Sequence, residues 1–329
     1  MRISQFDRTN LEMKPLSERK HDLNLSIIIP LASCRKSDIK RRMQEVAKHI
    51  ISAKANNSAI ILMIGAHVIR AGVQNYLIDL MKRGYISCVA MNGGGMIHDF
   101  EFAMIGATTE NVAQYIKEGQ FGLWKETAQL NDIINTAYEK DKSTGMGEAV
   151  GRYIENTDLP YKSISILSAA YRLQIPSTVH IGIGYDIIHE HSNCDGAATG
   201  ALSYNDFLKF GSVVQNLESG VVMNFGSAVM APEVFLKALS MARNTARQRG
   251  KEIKHFCTLV CDLTKLPKNI KKEPSRDEPE YYFRPWKTML IRTVADGGKA
   301  FYVRGKHIQT IPSLWDNINQ LEEKIGESR

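Results

Sequence analysis

The features that most constrain how this chain can fold are three short apolar segments, each without a charged side chain. They lie at residues 59–65, 85–91 and 220–224. Strands with apolar side chains on both faces are typical of a parallel sheet buried between layers of helices. Between the first two segments, apolar side chains recur at the helical spacing of Ile69, Val73 and Leu77. The alternation predicts an α/β fold, with a doubly wound, largely parallel sheet and helices on both faces.

The rest of the chain continues this alternation. Further strands are predicted at residues 25–30, 177–183, 252–261, 288–294 and 299–304, the last two forming a hairpin or a strand–turn–strand around Asp296-Gly297-Gly298. Helices are predicted at residues 37–55, with Ser37 as the N-cap, at 68–83, from 96, at 123–138, at 146–171 with a break at Pro160, at 204–217, at 232–247 and after Pro312. Residues 1–24 are polar and predict a surface arm, followed by a single domain at residues 25–329.

The charge distribution, the length of the apolar runs and the cysteine content indicate which partners and which cellular compartment to expect. The net charge is +7, but the basic clusters at residues 35–42 and 265–272 have acids nearby and no interleaved aromatic rings, which indicates a solvated surface and no nucleic-acid partner. The apolar runs are far shorter than the ~20 residues of a membrane span, so no membrane partner is expected. Five scattered cysteines indicate reduced thiols and a cytoplasmic protein. Cys257 and Cys261 have a second interpretation as half a metal site, but a zinc site normally takes four ligands.

Three glycine-containing turns follow predicted strands, at residues 65–72, 92–99 and 224–227. Ligands of doubly wound sheets bind beyond the carboxyl ends of the strands, and glycine lets a ligand approach the backbone. We therefore expect a ligand pocket around Asn92-Gly93-Gly94-Gly95, with nucleotide or phosphate binding as its function. The alternative is that each glycine only serves a tight turn, since none of the turns has the G-x-G-x-x-G spacing.

A histidine-rich segment at residues 180–191 suggests a second kind of site. His180, His189 and His191 could bind a metal together with His98 and Asp99. The chain has no H-E-x-x-H or comparable helical motif, and histidines are commonly half-buried residues that bind nothing. We therefore predict no metal site.

Lys287 is the candidate nucleophile. It follows a run of aromatic residues that includes Tyr281, Phe283 and Trp286. An apolar, aromatic surround favours the neutral amine that imine formation requires. The alternative places Lys287 at the start of a strand, pointing to solvent, with Trp286 in the core.

The same motifs resemble the deoxyhypusine synthase family. The resemblance rests on residues 58–72, 81–99, 182–192 and 220–229, and it extends with gaps to the C-terminal helix. It implies a Rossmann-like fold, a homotetramer and NAD bound between subunits. The family oxidises spermidine with NAD, transfers the aminobutyl group to an enzyme lysine as an imine, and passes it to a lysine of a translation factor; homospermidine synthases pass it to a small amine.

The resemblance also implies roles for individual residues. Asn92, Gly93, Gly94, Gly226 and Ser227 would lie against NAD, and we place His67 of the first glycine turn with them. Asp186 would bind the amine, with His191 and Trp286 in the same pocket, and Lys287 would be the catalytic lysine.

Several positions depart from the family pattern. Two acidic residues of the family are replaced by Ile97-His98, its Asp-Gly-Ser by Ile181-Gly182-Ile183, and a His-His pair by Pro232-Glu233. Carboxylates that would offset the desolvation of a polyamine are thus missing. We expect a divergent NAD-dependent aminoalkyl transferase that acts on a small amine or polyamine. The alternative is a family member that binds a nucleotide or another ligand without transferase activity.

Overall fold

The fold is built around a six-stranded parallel sheet in the order β5-β3-β2-β6-β7-β8. The computed structural model describes residues 3–32 and 38–327, so the predicted cap Ser37 and the thiol of Cys34 lie outside the described residues. The strands are β1 (His21–Asn24), β2 (Ile60–Ile64), β3 (Cys88–Asn92), β4 (Ala107–Glu110), β5 (Ser177–His180), β6 (Val221–Phe225), β7 (Cys257–Asp262) and β8 (Lys299–Arg304). The helices are α1 (Asp38–Ala55), α2 (Ala66–Ile69), α3 (Gln74–Lys82), α4 (Gly93–Ile105), α5 (Val112–Tyr115), α6 (Gln129–Lys140), α7 (Met146–Asn156), α8 (Ile166–Arg172), α9 (Gly196–Val214), α10 (Met230–Gln248) and α11 (His307–Glu327).

The chain winds outward from the middle of the sheet in both directions. It runs from β2 through β3 to β5, then crosses to the other side of β2 and continues through β6, β7 and β8. This order is that of a Rossmann-like doubly wound fold, whose ligand crevice opens where the direction of winding reverses. The predicted fold class is confirmed, and the reversal lies between β2 and β6.

The sheet is buried on both faces because alternate side chains of its central strands enter different hydrophobic clusters. In β2, Ile60 and Leu62 pack beneath α1, α3, α4 and α11, whereas Ile61 and Met63 pack against α10 and the end of α9. All five β2 residues are buried. This explains why the segment reads as a continuous apolar run rather than an alternating one.

Two predicted strands are wrong. Residues 25–30 contain a 3₁₀ turn, Leu25–Ile27, because the Asn24 side chain accepts a hydrogen bond from the Ser26 amide. Residues 288–294 belong to a π-helix, Pro285–Ile291, and a following 3₁₀ turn, so the expected hairpin does not form. Burial of Trp286, Met289 and Leu290 at helical spacing against the sheet prevails over the strand propensity of the sequence.

The N-terminal segment is more regular than predicted. Its strand β1 pairs antiparallel with β4, forming a second, two-stranded sheet. The Arg8 side chain donates to the backbone carbonyls of His191 and Cys194, which ties the start of the chain to the loop after β5. The boundary between an arm and a single domain at residue 24 stays a prediction. No helix among the described residues is long and apolar enough to span a bilayer.

Candidate functional site at the carboxyl edge of the sheet

The three glycine turns lie side by side at one edge of the sheet. Ile64, at the end of β2, pairs with Met91 of β3 and with Phe225 of β6. The residues that follow these strand positions are Gly65, Asn92 and Gly226. The sequence therefore places its three glycine turns around the point where the winding reverses, which is the expected ligand crevice of this fold.

The backbones of the first and third turns are in close contact. A Cβ atom on Gly65 would lie 2.4 Å from the carbonyl oxygen of Gly226, so no side chain fits at Gly65. Gly226 itself has a φ of +67°, and a Cβ there would lie 2.4 Å from Nε2 of His307. Only glycine combines this left-handed conformation with such close packing at low cost.

His307 is a residue of this edge that the sequence analysis missed. It is the first residue of α11, which begins just after β8, so it reaches the same edge as the glycine turns. Its Nδ1 atom is buried without a hydrogen-bond partner among the residues that the structure describes, and burial lowers the pKa of the imidazole. Its position after a predicted strand and Gly305 was the available signal.

The Asn92 turn begins α4 and holds a carboxylate. The Asn92 side chain accepts a hydrogen bond from the Gly95 amide at 3.1 Å, which caps the helix. The carboxylate of Asp186 accepts a hydrogen bond from the Gly94 amide. It lies directly against Gly93, where a Cβ would be 2.1 Å from Oδ2. A negative charge at a helix N-terminus is stabilised by the backbone amides and the helix dipole.

Asp186 is nonetheless poorly satisfied. Its Oδ2 atom is buried without a hydrogen-bond partner in the described structure. Burial raises the pKa of the carboxyl group to about 6, and the hydrogen bond from Gly94 only partly offsets this effect. A buried carboxylate oxygen without a donor is unfavourable, so a cationic or donor group from a ligand would stabilise it.

The two other predicted histidines differ in their surroundings. His191 is fully buried, and its Nε2 forms a 2.7 Å hydrogen bond with the Gly122 carbonyl. It therefore ties two loops together beneath the site. His67 is exposed on α2, next to the glycine turn of β2, and burial of part of its ring together with Arg70 lowers the pKa of its imidazole.

Lys287 and Trp286 lie on the π-helix, whose Met289 sulfur accepts a hydrogen bond from the Asn224 side chain of the third glycine turn. Trp286 is a core residue whose indole donates to the Ile270 carbonyl at 2.9 Å. Lys287 is only 3% exposed, and its Nζ atom lies 3.3 Å from the centre of the Tyr281 ring. Within the described ranges, no recorded hydrogen bond, ion pair or ring contact links Lys287 to Asp186 or to the glycine turns. The structure thus brings together Asp186 and the glycines, whereas Lys287 and Trp286 form a separate group.

A cleft of about 310 Å³ opens beside the Asp186 loop, at the end of β5. It is lined by His180, Ile181, Ile183, Gly200, Ser203, Tyr204, Phe207 and Val234. The lining is largely apolar and uncharged, which suits the carbon skeleton of a small molecule better than a phosphate. Across residues 3–32 and 38–327, no three His, Cys, Asp or Glu side chains converge in a metal-binding arrangement.

Comparison with known proteins supports the fold. Residues 44–138 match the family model described as arginine dihydrolase ArgZ-like, C-terminal, Rossmann fold. This match covers less than half of the chain but includes the first two glycine turns. No curated protein matches the sequence.

Solved structures give the same result. The "conserved putative LOR/SDH protein" of Methanococcus maripaludis S2 is 15% identical, with 89% of this chain and 74% of that chain covered and a TM-score of 0.52. Unliganded AgrE is 13% identical, with 87% and 34% covered and a TM-score of 0.51, so this chain spans about a third of AgrE. A "putative deoxyhypusine synthase" from Entamoeba histolytica is 11% identical, with 87% and 90% covered and a TM-score of 0.48. The first two of these structures, with TM-scores above 0.5, show a shared fold alone, and membership of the deoxyhypusine synthase family stays a prediction.

Proposed function

We propose that this chain is a nucleotide-dependent enzyme that acts on a small amine, with NAD as the nucleotide. The observation that carries the proposal is the unpartnered carboxylate oxygen of Asp186, which lies against Gly93 beside the crevice of a Rossmann-like sheet. A carboxylate in this setting would bind an ammonium group, because the cation would supply the missing donor and offset the buried charge.

The first turn of α4 is unfavourable for a phosphate of a dinucleotide, whereas other parts of the crevice could contact the dinucleotide. The Asp186 carboxylate already lies against the first turn of α4, so a phosphate would meet like charge there. Uncharged parts of a dinucleotide could instead contact the backbone of Gly94, and the unpartnered Nδ1 of His307, near the reversal point between β2 and β6, leaves a further group for it to contact. When bound, NAD would accept a hydride from the carbon that carries the amine. The chain's own contribution would be to hold that amine through Asp186, with the apolar cleft beside the Asp186 loop available to its carbon skeleton.

Substitution of Asp186 with asparagine tests the amine contact. Asparagine keeps an acceptor for the Gly94 amide but loses the charge, so we expect at least about tenfold weaker binding of whichever amine the wild type binds among spermidine, putrescine, ornithine and arginine. Calorimetric titration in the presence of NAD measures this loss. Equal affinity of the two proteins would refute the role of Asp186.

Because the pKa of Asp186 is raised, both amine binding and the stability of the fold should depend on pH. The carboxyl group is charged above about pH 6 in the folded protein, so amine binding should strengthen as the pH rises from 5 to 7. The same shift destabilises the fold, because the folded state holds its proton up to a higher pH than the unfolded chain. As the pH rises from about 4 to about 6, the titration of Asp186 should therefore lower the free energy of unfolding by roughly 2–3 kcal/mol. Asp186→Asn should remove that fall and be more stable than the wild type at pH 8, as urea unfolding at several pH values would show.

A second candidate function is aminoalkyl transfer through an imine on Lys287, as the family resemblance implies. The nearly complete burial of Lys287 against the Tyr281 ring favours it, since few lysines are buried without a purpose. Borohydride treatment in the presence of NAD and an amine should leave a stable adduct at Lys287, found by peptide mass spectrometry. Lys287→Arg should lose the adduct, whereas Lys48→Arg, at an exposed site, should keep it. An adduct that persists in the Lys287 variant, or none in the wild type, would exclude this chemistry.

A further inference from the structure

A buried ion pair between Arg19 and Glu101 is linked by hydrogen bonds through Thr108 to His98, which lies on the same helix, α4, as Glu101. Arg19 donates to both carboxylate oxygens of Glu101 on α4, at 2.9 and 2.8 Å, and both side chains are 1% exposed. Glu101 also accepts from the hydroxyls of Thr127 at 2.7 Å and Thr108 at 2.6 Å. The Thr108 hydroxyl is in turn 2.8 Å from Nδ1 of His98.

The direction of these hydrogen bonds follows from the charge on Glu101. Burial alone would raise the pKa of Glu101, but Arg19, Thr108 and Thr127 together hold it below its ordinary value. Glu101 is therefore an ionised carboxylate, which can only accept hydrogen bonds. The single hydroxyl proton of Thr108 is donated to Glu101, so toward His98 the hydroxyl oxygen must accept. Nδ1 of His98 consequently carries the ring proton, and Nε2 has the free lone pair.

His98 lies on the same helix as the glycine turn of the candidate site. His98 comes one turn after Gly94 on the same face of the helix, and side chains of a helix lean toward its N-terminus. Gly94, whose amide binds Asp186, offers no side chain to cover that space. The ring of His98 is also close enough to His67 and Arg70 of α2 to feel their charges. Among the described residues, Nε2 of His98 has no recorded hydrogen-bond partner.

We propose that His98 is a specificity-determining residue of this site, fixed as a hydrogen-bond acceptor by Thr108 and Glu101, and that it selects a ligand group with an N–H or O–H donor. This inference rests on the proposed function, because the ligand it contacts is the one bound at the carboxyl edge. A fixed acceptor rejects a carboxylate or phosphate oxygen in the same position, since two lone pairs would then face each other. Thr108 and Glu101 are positioning residues that act through His98.

Burial supports the role of an acceptor over that of a base. It lowers the pKa of His98 to about 4, so the ring stays neutral at the pH values at which the protein would work. The charged and titratable groups that influence it are Glu101, Arg70, Arg19 and His67. A neutral ring with a fixed tautomer keeps the same hydrogen-bonding pattern over this range of pH.

Nitrogen NMR of the imidazole tests the tautomer without any ligand. In ¹⁵N-labelled wild-type protein, the His98 resonances should show a protonated Nδ1 and an unprotonated Nε2. Thr108→Val, which keeps the shape and removes the hydroxyl, should lose this preference, and Thr108→Ser should retain it. A protonated Nε2 in the wild type would overturn the inference whatever the protein binds.

Titration with putrescine in the presence of NAD tests the contact with the ligand. His98→Phe and Thr108→Val should each weaken putrescine binding by about tenfold, the scale of one lost hydrogen bond, and Thr108→Ser should restore it. On binding, the Nε2 resonance of the wild type should shift. Wild-type affinity in His98→Phe, or an Nε2 resonance that does not respond, would overturn the contact. If the wild type does not bind NAD, the proposed function and the ligand contact both fail; if it binds NAD but not putrescine, only the contact with putrescine fails. The NMR result decides the tautomer in either case.

Discussion

Substitution of Glu101 with glutamine should lower the free energy of unfolding by about 3–5 kcal/mol, the range observed when one partner of a buried ion pair is removed. Arg19 would remain buried and charged opposite a neutral amide, because its side chain is 1% exposed. Thr108 and Thr127 would also lose the strong acceptor to which both now donate. Urea unfolding at neutral pH measures the loss.

The matched control is Glu45→Gln. Glu45 pairs with Lys48 on the surface of α1, where the two side chains are 57% and 52% exposed. Solvent screens such a pair, and its loss should cost less than about 1 kcal/mol. Equal effects of the two glutamine substitutions would mean that the buried Arg19–Glu101 pair contributes no more to stability than a solvent-exposed pair.

Gly65→Ala should strongly destabilise the carboxyl edge of the sheet. The new methyl group would lie 2.4 Å from the Gly226 carbonyl oxygen, and a backbone atom in a paired strand end cannot move aside cheaply. Overpacking of this kind costs about 1–3 kcal/mol or more, and here it would also separate the two turns at the crevice. Thermal unfolding and urea unfolding would both show the loss.

Gly94→Ala is the control for Gly65→Ala, because it adds the same methyl group at the same edge of the sheet without a close contact. A Cβ on Gly94 would meet only the Ala66 methyl at 3.4 Å and the Asn92 amide at 3.7 Å, which are ordinary contacts. Alanine also favours a helix over glycine by up to about 1 kcal/mol, so this variant should be as stable as the wild type or more so. If Gly65→Ala were equally stable, the close contact between the turns of β2 and β6 would be wrong.

The sequence predicted the sheet well because burial on both faces leaves a distinctive pattern. Residues 60–64 are apolar throughout, residues 221–225 are apolar except for the buried Asn224, and all ten are buried, a pattern that an amphipathic helix or a half-exposed strand does not give. The strand predicted at residues 288–294 is wrong because local propensity does not reveal long-range packing. Its strand propensity was local, whereas the π-helix around Met289 is set by packing against β7 and α10, which sequence pattern does not show.

The candidate site was predictable in part. Glycine turns after buried strands could be placed at one edge of a parallel sheet, because all carboxyl ends of such a sheet point the same way. The contact of Asp186 with Gly93 could not be read from composition or spacing, since it joins two loops far apart in the chain. The ion pair between Arg19 and Glu101 likewise joins residues 82 positions apart. Only the path of the backbone brings these groups together.

Titration of NAD into the wild type and Gly94→Ala, followed by calorimetry, tests the central claim most directly. The substitution adds one methyl group where the backbone would contact the ligand and leaves the fold intact. The account predicts saturable binding to the wild type and at least about tenfold weaker binding to a variant of undiminished stability. No binding to the wild type at millimolar NAD, or equal affinity of the two proteins, would contradict the assignment of the carboxyl edge as the nucleotide site.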